Sequence, residues 1–403
     1  MGVLCCCKRK SEEPLLNKDD ETSKDALNTS DNPYNVKLTV DDFNQLKTLG
    51  KGSFGKVVLV SLKKNNKLYA MKILDKAKIK KRKQEAHTIT ERNLMVKVNN
   101  PFVVRIHSAF QDEKNLYILT EFMQGGEMFF HIQKEKIFSE EKTRFYIAEL
   151  VLALEFLHKN KMIYRDLKPE NIMIDANGHI KITDFGLSKI FEEQEIAKTF
   201  CGTPQYLAPE VLTQKYEYSV DWFSLGCVMY MMLMGRPPLR IPKGKRPSFE
   251  YYKNIQYPNK GYSEDAINLM KSLLQVEPTI RLGYGDKGVE NIKKHPFFRS
   301  INWEKLMKRQ VKPPFIPKLK NEQDLTYFDK MFTNEPPVNN DSLDLRASVE
   351  RGNYSGFTYI TDSVGKELTN FNNNLTNLNK KEEDLESKDK ETKESVQQNI
   401  DNI

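Results

Sequence analysis

Three side chains with hard oxygen donors, Asp166, Asn171 and Asp184, lie in loops that close short apolar runs, within the stretches IYRDLKPENIMI (163–174) and ITDFGLS (182–188). Two carboxylates and an amide in such loops suit magnesium, which takes oxygen ligands and favours sites shared with substrate phosphates. Upstream, Gly50, Gly52 and Gly55 form a Gly-x-Gly-x-x-Gly loop, and Lys72 sits in the apolar run 68–74. Glycine amides can lie over phosphate oxygens without side-chain obstruction. A lysine among apolar residues is costly to bury unpaired, so Lys72 needs a carboxylate. Together these residues suit the handling of a nucleotide's phosphates with a divalent cation.

The elements that must position them follow from pattern. A dinucleotide fold requires a helix after the third glycine, but Val57-Val58-Leu59-Val60 is β-branched and strand-like, so the loop joins two strands. Thr88, Glu91 and Met95 recur at helical spacing within 84–98, which turns Glu91 inward as the partner for Lys72. Tyr164-Arg165-Asp166, Asn171, Asp184-Phe185-Gly186 and Ala208-Pro209-Glu210 then follow Gly50 and Lys72 in the order of the protein-kinase signature set.

On these motifs the chain resembles the eukaryotic protein kinases. Within them it resembles the AGC group of Ser/Thr kinases, most closely the Akt, glucocorticoid-regulated and ribosomal-protein kinase branch. The group-level residues are Thr199-Phe200-Cys201-Gly202-Thr203-Pro204, Arg281-Leu282-Gly283, His295-Pro296-Phe297-Phe298, Pro313-Pro314-Phe315, Phe328-Asp329 and Phe357-Thr358-Tyr359. The resemblance implies a bilobal α+β fold: an antiparallel five-stranded small lobe with one main helix, and a mostly helical large lobe containing 150–154 and 225–228 in its core. It implies a kinase domain over 43–298 and a C-terminal extension with a hydrophobic motif over 299–361. Residues 1–42 then form a flexible tether and 362–403 a polar, disordered tail.

The same resemblance assigns roles in transferring the ATP γ-phosphoryl group to protein serine or threonine. Asp166 accepts the substrate's proton, Lys168 steadies the transferring group, and Asn171 and Asp184 hold Mg2+. Lys72, paired with Glu91, orients the phosphates. Leu49, Val57, Ala70, Glu121, Met123 and Met173 line the adenine slot. Glu127 and Glu170 are expected to receive an upstream arginine of the substrate, and Thr203 sits beside the catalytic aspartate. Thr199 and Thr358 are the expected regulatory phosphorylation sites, with Arg165, Lys189 and His87 around phospho-Thr199 and an upstream kinase of the phosphoinositide-dependent type. There are departures: Met231 stands where many relatives have a glutamate, and Leu239 replaces a usual phenylalanine after Pro237-Pro238. The competing class, a kinase-fold scaffold without catalysis, fits poorly with a chain that keeps Lys72, Asp166, Asn171 and Asp184.

Charge and the ends complete the reading. The 403 residues carry +8, but 1–42 sum to −3 and 362–403 to −4, which leaves +15 on 43–361. A basic body between acidic ends selects anionic partners. Zinc-finger spacing, RNP-like aromatics and basic-zipper heptads are missing, so nucleic acid is not expected. Five cysteines, three of them consecutive, do not make a disulfide framework. Gly2 is a candidate for myristoylation, with Cys6 where the usual motif has Ser or Thr. Cys5, Cys6 and Cys7 could be thioester-acylated, and Lys8, Arg9 and Lys10 could add roughly 1 kcal/mol each against anionic lipid. The longest apolar run, 225–234, is about half of the ~18 residues a spanning helix needs. The expectation is a monomer, cytoplasmic and peripheral at the inner membrane face. Leu368, Leu375, Phe371, Leu378 and Leu385 fall on sevens, but the brevity of that pattern and its asparagine run argue for disorder over a coiled coil.

Overall fold

β-branched and apolar runs within 43–75 and 106–121 favour strands, and the computed structural model, which describes residues 37–191, 195–242, 245–258, 261–337 and 354–369, contains a sheet there. The described residues group into two compact units. The smaller takes 37–83, 106–121, 332–337 and 354–369; the larger takes what is described of 84–105 and 122–331.

In the smaller unit, β1 (Phe43–Lys51), β2 (Gly55–Leu62), β3 (Leu68–Asp75), β4 (Ile106–Gln111) and β5 (Asn115–Glu121) form an antiparallel sheet in the order β1-β2-β3-β5-β4. Register assigns the faces. Val58 opposes Met71, Val60 opposes Tyr69 and Met71 opposes Leu119, so these side chains share one face and build an apolar cluster with Phe43, Phe110 and Tyr117. Val57 opposes Lys72 and Leu59 opposes Ala70 on the other face. The extension braces the glycine hairpin within this unit. Lys51 pairs with Glu335 at 2.5 Å, Thr48 Oγ1 donates to the Pro336 carbonyl at 3.2 Å, and Lys56 donates to that of Pro337.

Two features differ from expectation. The sheet has a sixth strand, Tyr359–Ile360, paired antiparallel to β4 with Tyr359 opposite Ala109. The hydrophobic motif is therefore held by main-chain bonds as well as by its aromatics. Ser108 Oγ donates to the Tyr359 carbonyl at 2.8 Å, and Gln111 Nε2 to that of Tyr354 at 3.1 Å. Tyr354 and Phe357 are buried while Thr358 is exposed.

The second difference corrects the tail. Residues 362–369 are helical, not disordered, and Leu368 enters the sheet's apolar cluster instead of a coiled-coil seam. Val364 and Leu368 are four apart and so share one helix face; both are almost fully buried. Glu367, on the flank, pairs with Lys67 at 3.5 Å, and Thr361 Oγ1 donates to the His107 carbonyl at 3.1 Å. Two anchors in a polar background are enough when an apolar face awaits them. Phe371, Leu375, Leu378 and Leu385 lie outside the described residues, as do Gly2 and Cys5 to Cys7.

The larger unit is mostly helical. Its long helix Glu140–Lys159 starts at Ser139, whose hydroxyl accepts from the Lys142 amide. The helix Ser219–Met234 is apolar on nearly every side and buried accordingly. Residues 150–154 and 225–228 are core, as expected. The expected helix is Glu85–Lys97, with Thr88, Glu91 and Met95 buried, and it groups with this larger unit. No helix among the described residues is long and apolar enough to cross a membrane.

The helix at 362–369 yields a prediction. Leu368→Ala should cost about 2 to 5 kcal/mol of local packing, read as faster hydrogen exchange over 354–369 while β2 and β3 stay protected. Unchanged exchange there would show that the helix contributes nothing.

Candidate active site

Asp166 is carried on a loop between the short strand Met162–Ile163 and the 3-10 turn Pro169–Asn171. That loop is shaped by a residue the sequence reading missed, Asp221. Its carboxylate has no solvent exposure and accepts from the amides of Tyr164 at 2.9 Å and Arg165 at 2.8 Å, with His158 Nε2 at 2.8 Å. The available signal was an aspartate near the start of an apolar helix, where it must find donors or destabilise the fold. Arg165 takes a left-handed φ of 70°, which throws the Asp166 side chain towards Lys168 and Asn171.

The two oxygens of Asp166 are used unequally. Oδ2 accepts from Lys168 Nζ at 2.8 Å and from Asn171 Nδ2 at 2.9 Å, while Oδ1 accepts only from Thr203 Oγ1 at 2.8 Å. A carboxylate oxygen offers two lone pairs, so Oδ1 keeps one acceptor position. Lys168 Nζ also reaches Thr203 Oγ1 at 3.0 Å, which closes the cluster. Asn171 commits its amide nitrogen to Asp166, and its carbonyl oxygen is the atom left to serve a hard cation.

Asp184 follows the hairpin Ile172–Ile174/Ile180–Ile182 with φ of 63°, and the Thr183 amide donates to the main-chain carbonyl of Asn171 at 3.0 Å, which ties the segments of the two candidate ligands together. Phe185 is buried edge-on against Tyr164 at 5.4 Å. The Glu91 carboxylate lies near this turn, since a Cβ added to Gly186 would sit 3.6 Å from Glu91 Oε2. Among the described residues no group of three His, Cys, Asp or Glu side chains forms a metal site. Two oxygen ligands fit magnesium bound largely through phosphate.

The remaining candidates divide between the units. Leu49, Gly50, Gly52, Gly55, Val57, Ala70, Lys72, Glu121 and Thr358 belong to the smaller unit; Met123, Glu127, Glu170, Met173, Thr199 and Thr203 belong to the larger. The three glycines differ. A Cβ on Gly55 would strike the Ile73 carbonyl oxygen at 1.8 Å, whereas one on Gly50 or Gly52 would meet no protein atom within 4 Å. Gly55 is therefore required by packing, and the bareness of Gly50 and Gly52 leaves room that suits a phosphate chain.

Two glutamates show the strain of like charge. Glu127 is exposed at its surface, yet its carboxyl is pushed up to about 7, by the protein mass around it first and then by the Glu170 carboxylate. Glu170 Oε2 is buried without a hydrogen-bond partner. In the activation segment Thr199 is exposed, and its carbonyl accepts from Tyr216 OH at 2.6 Å, which Arg165 Nη1 contacts at 3.3 Å. Lys189 is paired with Glu195, and His87 Nδ1 with Gln84 Oε1 at 2.6 Å. A buried two-pronged pair, Arg281 Nη1 to Glu210 Oε1 at 2.5 Å and Nη2 to Oε2 at 2.9 Å, anchors the segment after Thr203.

Comparison with known proteins identifies the family. Residues 43–298 match the protein kinase domain and residues 319–359 the protein kinase C terminal domain. The chain is 41% identical over 382 residues to serine/threonine-protein kinase Sgk1 of Xenopus tropicalis, covering 88% of this chain and 90% of that one. It is 42% identical over 349 residues to human RAC-beta serine/threonine-protein kinase, with 84% and 72% covered. It is also 43% identical over 339 residues to the RAC family homolog of Dictyostelium discoideum, with 81% and 74% covered. With two matching families laid along the chain in this order and relatives this similar, the chain belongs to the protein kinase family, as a serine/threonine protein kinase of the Akt and Sgk branch of the AGC group.

Proposed function

We propose that this kinase phosphorylates serine or threonine in protein segments that carry an arginine upstream of the acceptor. The reading rests chiefly on the Asp166, Lys168, Asn171 and Thr203 cluster. The acceptor position left on Asp166 Oδ1 takes the substrate hydroxyl's hydrogen bond and, as the oxygen becomes bonded to phosphorus, its proton. Lys168, hydrogen-bonded to Asp166 Oδ2 and Thr203 Oγ1, places a positive charge next to the reacting groups. Bound ATP supplies the phosphoryl group, and magnesium, held by Asn171 and Asp184, would offset its negative charge. From the smaller unit, the Gly50 to Gly55 loop and Lys72 handle phosphates, and Leu49, Val57, Ala70 and Glu121 serve the nucleotide base. From the larger, Glu91 supports the phosphate-binding machinery, and Met123 and Met173 serve the base. Catalysis on this plan is positioning and electrostatics.

The upstream arginine is supported by the glutamate pair. A buried oxygen on Glu170 lacks a donor, and Glu127 holds its proton unusually tightly. A guanidinium between them would satisfy the first and ionise the second. Regulation follows from exposure: Thr199 and Thr358 are both open to a modifying kinase, of the phosphoinositide-dependent type at Thr199. A phosphate on Thr199 would add about −1.5 to −2 charge within reach of Arg165. The tether at Gly2 and Cys5 to Cys7, if acylated, would hold the enzyme peripherally at the membrane.

Asp166→Asn should lower kcat by about 10² to 10⁴ without altering ATP affinity, and Asp184→Ala should abolish magnesium-dependent transfer. Wild-type rates from both variants would sink the catalytic assignment. Burial and the neighbouring Glu170 carboxylate push Glu127 up to about 7, so KM for an arginine peptide should rise about tenfold between pH 8 and pH 6 as Glu127 takes up its proton. A peptide with glutamine at that position should show no such change, and neither should Glu127→Gln. Thr199→Ala should be roughly tenfold less active; full activity in that variant would remove Thr199 from regulation.

A further inference from the structure

The segment after Pro237-Pro238 is unusual in sequence and basic in character. Residues 236–253 hold six Lys or Arg against the single Glu250. In the larger unit, Arg236, Arg240, Tyr251, Asn254 and Gln256 line a concavity of about 180 Å³. The Arg236 guanidinium lies over the Tyr230 ring at 5.5 Å, and Tyr230 OH donates to the Gln256 carbonyl at 2.6 Å. Gln256 Nε2 donates in turn to the Asn254 carbonyl at 3.3 Å, and Asn254 Nδ2 to that of Glu250 at 3.2 Å. The wall is thus a linked network that holds Arg236 against the Tyr230 ring at the lining of the hollow.

Neither arginine has a carboxylate partner among the described residues, whereas other cations of this unit do: Arg299 with Asp265, Lys293 with Glu155, Lys308 with Glu304. Two unpaired guanidiniums facing one hollow repel each other, and a dianion between them removes that cost. Met231, in the helix before this loop, supplies no compensating acid. The hollow is also coupled to the acceptor site. Tyr252 OH, in the turn that carries Tyr251 and Asn254, donates to the Leu207 carbonyl at 3.0 Å, four residues beyond Thr203. Thr203 in turn touches Asp166.

We propose that the hollow between Arg236 and Arg240 is a phosphate subsite for protein substrates, which receives a phosphorylated side chain already present on the substrate away from the acceptor residue. The inference builds on the protein-substrate reading above. It makes this enzyme a responder to earlier phosphorylation, with a preceding kinase supplying the first phosphate.

The full chain, activated, is given a degenerate acceptor library with upstream arginine, in which one position at a time is phosphoserine or serine. Wild type should favour phosphoserine at one distal position by about tenfold in kcat/KM. The double variant Arg236→Gln/Arg240→Gln should lose that preference while its kcat/KM on the serine library is unchanged. Direct binding of the selected phosphopeptide, read by fluorescence anisotropy, should weaken in parallel, and Arg236→Lys should keep only part of it. Preference at no position, or equal preference in the double variant, overturns the proposal. So does binding of anionic vesicles that needs both arginines while phosphopeptide binding does not, or activation of the double variant by loss of an inhibitory contact with the chain's own acidic 362–403 segment. If the serine library itself goes unphosphorylated, the substrate reading fails, and anisotropy of the same phosphoserine peptides against their serine counterparts, for wild type and the double variant, still judges the subsite.

Discussion

A carboxylate sealed from water is expensive unless donors surround it. Asp221 meets that condition only when the backbone from Tyr164 to Arg165 turns so that two successive amides face it. The same turn places Arg165 in the left-handed region and delivers Asp166 to Lys168, Asn171 and Thr203. The Asp166 carboxylate therefore sits on an irregular loop whose shape is set from the core, by a helix that packs on nearly every side. Loosening Asp221 would free several residues at once, because the turn, the cluster and the hairpin that carries Asp184 are joined by the bond from Thr183 to Asn171.

Charge is arranged by locality more than by total. The body's net +15 does not spread evenly. Acid gathers at Glu127 and Glu170, where one proton is held tightly and one oxygen lacks a donor; base gathers at 236–253, where two arginines lack acids. Among the described residues both places leave charge uncompensated, which is where a charged ligand gains most. Elsewhere in the larger unit opposite charges meet, and at Arg281 with Glu210 they do so in the interior with both prongs satisfied.

How much of this was legible in the sequence depended on whether chemistry fixed both residue type and spacing. Gly50, Lys72, Asp166, Asn171 and Asp184 could be singled out as candidates because phosphate and magnesium tolerate few substitutes, and the sheet was readable because Val57 to Val60 refuses a helix. Asp221 was not, because its partners lie 56 and 57 positions away and nothing local announces them. Val364 and Leu368 were hidden for a different reason: two apolar residues in a polar stretch look like noise until the face they cover is known. The phosphate hollow needed Arg240 and Asn254 brought together, which the chain between them does not reveal.

The last described helix closes a face that begins more than 300 residues earlier: Glu367 pairs with Asn65 and Lys67, and Leu368 lies in one cluster with Val58 and Tyr69. During synthesis the strands of that face are made first, and their cover follows only after the whole of the kinase domain, 43–298, has been made. Contacts so distant in sequence slow folding and leave apolar surface exposed meanwhile. The nascent chain thus has a built-in interval of vulnerability, and its smaller unit matures last even though almost all of its strands are translated first.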